Sequence, residues 1–406
     1  MRVLHTSDWH LGKKLEDISR LDEQKEVLSE IIDIANNQDV DLIIIAGDIY
    51  DTSNPSNEAQ ELFYKTVKKL SNNGKRIIIA IAGNHDSSDG INAPDPIARV
   101  SGIFMLGDLN KVIIPFKLEN GVELINSESG FLEFKFEKYD YPVRILTTPY
   151  TNEVRLKRLL SAKHGEKEIL KLLEKKWLEL SEKYCDENGV NILTAHLYMA
   201  GNNEVEELEP EDERSILHIG GLRKLYTSSV PDSIQYTALG HLHRFNVFMN
   251  KNNYPIVYSG SILEYSFSEA MQDKFVMISD ITPNAIPQSK KIEIKSGRKL
   301  KRGRFADIEK AINWLEINKE FFVELTIVTN SFIDTETQKK LYSVHDKIVS
   351  IIPEVGSNSK NNESLTSFSL NEDFNTLFTN FFKNKNKDLA PTDEIMELLK
   401  EVRAME

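Results

Sequence analysis

The hydrophobic and polar positions of the first 90 residues follow two alternating patterns. Apolar runs at residues 2–6, 41–46 and 76–82 predict strands, and the two later runs are apolar throughout, as expected of strands covered on both faces. Residues 23–36 between them have their apolar positions at helical spacing, and a second helix is predicted to end near Gly74. This strand–helix–strand–helix–strand order predicts an α/β fold, with a sheet that carries helices on its faces.

The same patterns predict the remaining elements. In the middle of the chain we expect one charge-rich helix followed by strands, at residues 153–184, 190–195, 235–239, 256–259 and 275–281. Beyond Pro283 and Pro287 the pattern restarts as alternating strands and helices, at residues 291–295, 306–318, 321–328, 335–351 and 365–370. A polar surface loop (357–362) precedes the last of these strands, and two short helices (373–383 and 392–404) are predicted at the end.

These changes of pattern predict three parts of the chain. Residues 1–285 form the main domain, residues 286–370 a small α+β domain, and residues 371–406 the terminal helices. Each terminal helix has one apolar face, which either packs on the chain's own body or docks onto a partner. We favour a partner, because the polar segment 384–388 separates the two helices.

Composition limits the classes of function. The chain has 406 residues, of which 40% are hydrophobic, and its net charge is −13, which counts against a nucleic-acid substrate unless bound cations or a local basic patch compensate. Cys185 is the only cysteine, which excludes an internal disulfide and a multi-cysteine zinc site. No apolar stretch approaches the roughly 18 residues that span a bilayer. We therefore expect a cytoplasmic protein without a membrane anchor.

Side chains that can bind metal ions follow the ends of five predicted strands. They are Asp8, His10, Asp48, Asn84, His196, His241 and His243. Ligands bind at the carboxyl ends of strands in open α/β sheets, and a mixed set of aspartate, asparagine and histidine suits Mn²⁺, Fe²⁺ or Zn²⁺. Seven ligands exceed what one ion with open positions needs, but they suit two ions that share a carboxylate. Such a pair can hydrolyse a phosphoester.

Each motif alone has an ordinary structural explanation, and only their joint occurrence at successive strand ends favours a metal centre. Glycines at positions 47, 83 and 240 each precede a candidate ligand and permit a tight backbone there. Four other histidines have no ligand-like neighbours and are interpreted as packing or surface residues; they are His5, His164, His218 and His345.

Several longer motifs resemble those of the calcineurin-like metallophosphoesterases, and among them the nuclease subunits of bacterial SbcCD-type complexes. These motifs are His5-Thr-Ser-Asp-Trp-His-Leu-Gly12, Gly47-Asp-Ile-Tyr-Asp51, Gly83-Asn-His-Asp86, Ala195-His-Leu197, Ala238-Leu-Gly-His-Leu-His-Arg244, Tyr258-Ser-Gly-Ser261 and Ser266-Phe-Ser-Glu269. The Asp-Trp-His-Leu-Gly form and Tyr258-Ser-Gly-Ser261 are the most specific. The resemblance extends over nearly the whole chain. It implies a four-layer sandwich of mixed β-sheets flanked by helices, with a small α+β capping domain and C-terminal helices.

The resemblance also implies roles for the candidate ligands. Asp8, His10 and His243 would hold one ion. Asn84, His196 and His241 would hold the other, with Asp48 bridging and Mn²⁺ as the metal. His85 is then left as the catalytic imidazole, and we expect the Asp51 carboxylate to orient it.

By the same resemblance, the chain is a DNA nuclease subunit in repair, recombination and replication. It would act as an ATP-dependent 3′–5′ double-strand exonuclease and as a single-strand and hairpin endonuclease. The implied partners are DNA and an SbcC-like coiled-coil ATPase that binds the C-terminal helices, with a homodimer inside a heterotetramer. The sequence has no Gly-x-x-x-x-Gly-Lys-Ser/Thr loop, so ATP would act through another polypeptide.

Two points stay open on the sequence alone. A phosphatase or small-molecule phosphodiesterase of the same superfamily is the alternative to a nuclease, and an intact ligand set argues against a non-catalytic scaffold. The basic segment 298–304, with five basic residues among seven, is either a solvated linker or a surface that contacts DNA phosphates.

Overall fold

The computed structural model describes residues 1–150, 166–201, 225–329 and 333–355, together with a few isolated positions nearer the C-terminus. The chain divides into two compact units, Met1–Glu354 and Val355–Glu406. Several predictions therefore lie outside the described residues: the first part of the helix at 153–184, the segment 357–370, the C-terminal helices as a whole, and His164 and His218.

The strands of the described part, in chain order, are β1 (Arg2–Thr6), β2 (Lys14–Leu15), β3 (Ile18–Ser19), β4 (Leu42–Ala46), β5 (Ile77–Ile81), β6 (Ile103–Leu106), β7 (Phe116–Lys117), β8 (Glu123–Glu128), β9 (Phe131–Lys135), β10 (Pro142–Thr148), β11 (Val190–His196), β12 (Met199–Ala200), β13 (Leu225–Tyr226), β14 (Tyr236–Gly240), β15 (Asn246–Met249), β16 (Pro255–Tyr258), β17 (Lys274–Asp280), β18 (Gln288–Ile294), β19 (Leu300–Phe305), β20 (Phe322–Thr329) and β21 (Ile348–Val355). The helices are α1 (Leu21–Asn37), α2 (Asn57–Leu70), α3 (Ser88–Asn92), α4 (Asp95–Ala98), α5 (Glu166–Tyr184), α6 (Ile308–Ile317) and α7 (Thr335–Val344).

The first sheet has the strand order β18-β17-β1-β4-β5-β6. Strands β1, β4, β5 and β6 run parallel to one another, whereas β17 is antiparallel to both β1 and β18. Every residue of β4 and β5 is buried, because helices cover one face of the sheet and a second sheet covers the other. The continuous apolar runs predicted this double coverage correctly.

The second sheet has eight strands in the order β15-β16-β14-β11-β10-β9-β8-β7. Its inner face shares one apolar core with the first sheet, in which Ile44 and Ile79 meet Ile192 and Tyr236. On its outer face lies α5, whose buried Trp177 donates from its indole nitrogen to Thr148 Oγ1 at 2.8 Å. The layers are thus helix, sheet, sheet and helix, and the predicted α/β sandwich with mixed sheets is confirmed.

A smaller sheet, β19-β20-β21, packs against α6 and α7 around its own core. Leu300 and Phe322 from this sheet pack against Leu15 and Phe267 beside the main sandwich. This small sheet matches the predicted α+β region in type, while the three-domain division itself stays a prediction.

Two predicted elements in this region are confirmed in type, but the first lies in another sheet than expected and the second is shorter than expected. The strand predicted at residues 291–295 is β18, which pairs with β17 in the first sheet. The helix predicted over 335–351 ends at Val344, because His345 is extended and a turn at residues 346–347 leads into the β-branched run of β21.

Most of the basic segment 298–304 forms β19, which is an edge strand of the small sheet. Two of its exposed arginines are ion-paired: Arg302 with Glu324 at 2.7 Å, and Arg304 with Glu354 at 2.7 Å. The segment is therefore part of a sheet rather than a linker. None of the helices in the described ranges is long and apolar enough to cross a membrane.

Candidate metal centre

The loops that follow β1, β4, β5, β11 and β14 meet at one edge of the paired sheets. The backbone there is unusual, because four of the candidate ligands have positive φ: 52° at Asp8, 43° at His10, 47° at Asp48 and 103° at His241. Non-glycine residues rarely adopt this conformation, and a group of them in one place marks a site whose geometry the surrounding fold enforces.

Asp8, His10 and His243 form a first buried group, here called the Asp8 cluster. The Nε2 atoms of His10 and His243 face each other at 3.0 Å. Two ligand atoms bound to the same ion at about 2.1 Å, with an angle near 90° between them, lie about 3 Å apart. The spacing of the two nitrogens therefore fits a shared metal ion.

Asn84, His196 and His241 form a second group, the Asn84 cluster. Asn84 Oδ1 lies 2.9 Å from His196 Nε2 and 3.0 Å from His241 Nδ1. An amide oxygen and two imidazole nitrogens thus converge at the spacing expected of neighbouring ligands on one ion.

Asp48 lies between the two clusters. Its Oδ2 atom is 3.5 Å from His10 Nε2 and 3.4 Å from His196 Nε2, so one carboxylate oxygen reaches both groups. Its other oxygen accepts a hydrogen bond from the backbone N–H of His85 at 2.9 Å. The structure thus brings together all seven side chains that the sequence singled out, and the ligand roles themselves stay a prediction.

Two of the histidines, His196 and His243, have their second ring nitrogens occupied in a way that suits metal binding. His196 Nδ1 lies 2.9 Å from the carbonyl oxygen of Ala46, and His243 Nδ1 lies 3.2 Å from Glu269 Oε1. Since those partners only accept, the Nδ1 atoms carry the protons and the Nε2 atoms are left to bind an ion. The donor set therefore fits two divalent cations.

Burial shapes the electrostatics of the site. It lowers the pKa of His10 to about 4 and that of His241 to about 3, so both rings are neutral near pH 7, as ligands must be. Burial opposes the charging of His196 as well, but the Asp48 carboxylate outweighs it and raises the pKa of His196 to about 9. Without an ion, a protonated His196 would supply the positive charge that the buried carboxylates require.

His85 adjoins the Asp8 cluster, with its ring centroid 4.8 Å from that of His10. Its Nδ1 donates to the backbone carbonyl oxygen of Asp51 at 2.7 Å. The Asp51 carboxylate instead binds Lys13 Nζ at 2.8 Å and lies 3.6 Å from His10 Nδ1. We expected this carboxylate to orient His85, and that expectation was wrong, because the main chain of Asp51 makes the contact.

The other histidines behave as predicted where the structure describes them. His5 is buried between Tyr236 Oη and the Leu239 carbonyl oxygen, each at 3.2 Å, and His345 binds the Asn318 carbonyl oxygen at 3.0 Å. Both are packing residues with satisfied rings.

Sequence reasoning missed two acidic residues that support the site. Asp86 accepts hydrogen bonds from the backbone N–H groups of Gly83 at 2.8 Å, Tyr50 at 2.9 Å and Ile49 at 3.0 Å, and so ties two ligand loops together. Glu269 contacts His243 as described above. Both residues lie in motifs that the sequence presented, but a carboxylate that acts through a ligand loop has no spacing signature of its own.

The fold and the clustered ligands define a metallophosphoesterase. The family model for calcineurin-like phosphoesterases matches residues 1–245. Divalent metal ions are the cofactors that this fold and these residue clusters support. The predicted class of enzyme, a hydrolase of phosphodiester bonds, is confirmed.

Curated relatives identify the family to which the chain belongs within this class of enzymes. The D subunit of the SbcCD nuclease of Bacillus subtilis (strain 168) is 30% identical over 408 residues, which cover 99% of this chain and 97% of the relative. The protein of the same name from Staphylococcus epidermidis is 30% identical over 406 residues, 98% of each chain. Among solved structures, a dimetal phosphatase from Danio rerio covers 71% of this chain and 98% of its own, with 10% identity and a TM-score of 0.37. The chain belongs to the family of SbcCD nuclease D subunits, within the calcineurin-like phosphoesterases.

Proposed function

We propose that this chain is the Mn²⁺-dependent nuclease subunit of an SbcCD-type complex and cleaves phosphodiester bonds in DNA. The observation that carries the proposal is the convergence of two ligand clusters on the buried Asp48, with His85 beside them, in a chain that matches nuclease subunits over nearly its full length. The proposed reactions are ATP-dependent 3′–5′ cleavage of double strands and endonucleolytic cleavage of single strands and hairpins, in repair, recombination and replication.

In this proposal Asp8, His10 and His243 hold one ion, Asn84, His196 and His241 hold the other, and Asp48 contacts both. When bound at these residues, two divalent ions would supply an activated water and positive charge for an in-line displacement at phosphorus. The surrounding fold holds these side chains in place and limits the access of bulk water, since all of them are buried except the half-buried Asn84.

His85 supplies the proton chemistry. Because its Nδ1–H is held by the Asp51 carbonyl oxygen, its Nε2 atom is the one left to exchange a proton with the reacting phosphate or to stabilise its charge. That hydrogen bond uses only the main chain of Asp51. Turnover is therefore expected to depend on His85 itself far more than on the Asp51 side chain.

The regions after the main domain are assigned to binding of DNA and of the partner ATPase. The region 286–370 positions DNA over the metals, and residues 371–406 bind the coiled-coil ATPase, with two nuclease chains in a heterotetramer. The net charge of −13 and the ion pairs of Arg302 and Arg304 mean that DNA must compete with Glu324 and Glu354 for these cations. Binding through this surface should weaken steeply as salt rises.

The test is cleavage of end-labelled linear and hairpin DNA by the chain together with its ATPase, ATP and Mn²⁺. His85→Gln should lower the cleavage rate by about 10²- to 10⁴-fold without loss of bound metal. His5→Gln is the matched control, because His5 bonds Tyr236 and Leu239 away from the site, and it should cleave at the wild-type rate.

The alternative function, hydrolysis of small phosphoesters, is favoured by the acidic net charge of −13. A small phosphomonoester and a small phosphodiester therefore belong in the same assay. Release of phosphate or alcohol from them, with no DNA cleavage even in the presence of the ATPase, would replace the nuclease proposal with the alternative.

A further inference from the structure

We propose that the two ion sites are unequal, and that Glu269 and Asp51 are positioning residues that make the Asp8 cluster the tighter site. The inference rests on the ligand sets of the proposed function. It adds an order of loading, in which the Asp8 cluster fills first and the Asn84 cluster holds the more exchangeable ion.

Glu269 is built into the core behind His243. It is 4% exposed, and its Oε1 accepts from His243 Nδ1 at 3.2 Å and from the backbone N–H of Tyr265 at 3.2 Å. Its Oε2 accepts from Lys274 Nζ at 2.5 Å and from Ser261 Oγ at 3.0 Å. The carboxylate is thus held from several sides, and it fixes both the tautomer and the ring orientation of His243.

His10, the other histidine of the Asp8 cluster, has a similar carboxylate behind it. Its Nδ1 is buried, has no hydrogen-bond partner within the described ranges, and points towards Asp51 Oδ1 at 3.6 Å. Lys13 holds this carboxylate at 2.8 Å, much as Lys274 holds Glu269. Both imidazoles of the Asp8 cluster therefore have a carboxylate behind the ring, and a lysine binds each of these carboxylates.

In the Asn84 cluster, a main-chain carbonyl group stands behind His196 in place of a carboxylate. His196 donates its Nδ1–H to the neutral carbonyl oxygen of Ala46. Asn84 is a neutral amide, so the proposed ligand set of this cluster contains one carboxylate, Asp48, whereas that of the Asp8 cluster contains both Asp8 and Asp48. Asp8 also has a carboxylate oxygen within 4.8 Å of the ligand atoms of Asp48 and His196, but it is assigned to the first ion.

These differences act in the same direction. A carboxylate behind an imidazole raises its basicity as a ligand and costs about 10- to 100-fold in metal affinity when it is removed. More anionic ligands also favour a divalent cation. The Asp8 cluster should therefore bind the first Mn²⁺ at least about tenfold more tightly than the Asn84 cluster binds the second.

The experiment is a Mn²⁺ titration of the full chain after removal of metal by a chelator, followed by the electron paramagnetic resonance signal of free Mn²⁺. Wild type should bind two ions in two separated steps. Glu269→Gln should weaken the first step by about 10- to 100-fold and leave the second unchanged. Glu264→Gln is the matched control: it also removes a buried carboxylate from this segment, one that binds the Leu300 N–H rather than a histidine, and should titrate as wild type.

Because Glu269 also pairs with Lys274, its replacement can destabilise the fold. A second variant therefore tests the same ion site by removing the carboxylate behind His10 instead of the one behind His243. Asp51→Ala removes a side chain that is 23% exposed and keeps the backbone carbonyl that holds His85. It should weaken the same first step. The melting temperature of each metal-free variant shows whether its fold is intact.

Equal binding steps in wild type would overturn the inference, as would wild-type affinities in a folded Glu269→Gln or Asp51→Ala variant. If wild type binds two ions with unequal affinities but cleaves no DNA, only the nuclease proposal is refuted. If it binds two ions and cleaves DNA while both variants titrate as wild type, only the inference of unequal sites is refuted. Binding of a single ion by wild type would overturn both.

Discussion

Replacing Gly47 by alanine would put a methyl group where the ring of His196 lies. A Cβ at this position would come within 2.2 Å of His196 Nδ1 and 2.5 Å of its Cγ, much closer than any real contact. Gly47 also has a φ of +92°, which a side chain tolerates poorly. The substitution therefore combines backbone strain with displacement of one imidazole.

The two effects can be estimated separately. Left-handed backbone costs an L-residue about 1–2 kcal/mol. Moving His196 also breaks its hydrogen bond to the Ala46 carbonyl, and a buried group left without its partner costs about 1–3 kcal/mol. We expect Gly47→Ala to lower the free energy of unfolding by about 2–5 kcal/mol.

Gly74→Ala is the matched control. Its φ is +83°, but a Cβ there would meet only the Ser101 carbonyl group, whose oxygen lies at an ordinary 3.7 Å. It should lose about 1–2 kcal/mol, from the strain alone. Denaturant unfolding of the metal-free variants gives both values, and a Mn²⁺ titration should show weaker binding of the second ion only in Gly47→Ala. Equal stability losses and equal titrations would refute the geometry assigned to His196.

Two further predictions concern residues outside the metal centre. Trp177→Ala should lower the free energy of unfolding by about 3–5 kcal/mol, since the ring is 1% exposed and its N–H bonds Thr148; a loss near zero, or any change in Mn²⁺ stoichiometry, would contradict this. Burial raises the pKa of Glu264 from its usual 4.5 to about 7, so the unfolded state loses this proton first, and stability should fall as pH rises between those values. Glu264→Gln should lose less stability than wild type between pH 5 and 7.5, measured as melting temperatures in chelator, and identical pH profiles would exclude the effect.

The sequence predicted the first sheet and the metal-binding edge because both have strong local signals. Strands β4 and β5 are apolar throughout, which indicates coverage on both faces, and a glycine and a candidate ligand follow each of them closely. Those ligands are Asp48 after β4 and Asn84 after β5. Parallel strands bring their carboxyl ends to one edge, so position along the chain was enough to predict proximity in space.

Other parts of the fold depend on distant partners. No strand was predicted at residues 116–148. In this region β8 has mixed polar and partly exposed positions, and its strand conformation depends on pairing with β9. The pairing of β18 with β17, rather than with the small sheet, is set by tertiary contacts. Local propensity cannot distinguish such choices.

In the site, the sequence missed the atoms that position the ligands. Asp51 is a plausible carboxylate partner for His85 by spacing, but the contact is made by its carbonyl oxygen, which every residue has. Glu269 reaches His243 across 26 positions. Interactions of the main chain and of distant carboxylates leave no repeating pattern in a single sequence.

The placement of β1 has a consequence for how the chain is made. This strand lies between β4 and β17, and it is synthesised long before β17, which begins only at Lys274. Until then one side of β1 has unpaired backbone groups, the kind of open strand edge to which other chains can add. A fragment that stops at residue 245 would keep that edge permanently, so we expect it to aggregate during synthesis, whereas a fragment that extends through Ile294 closes it.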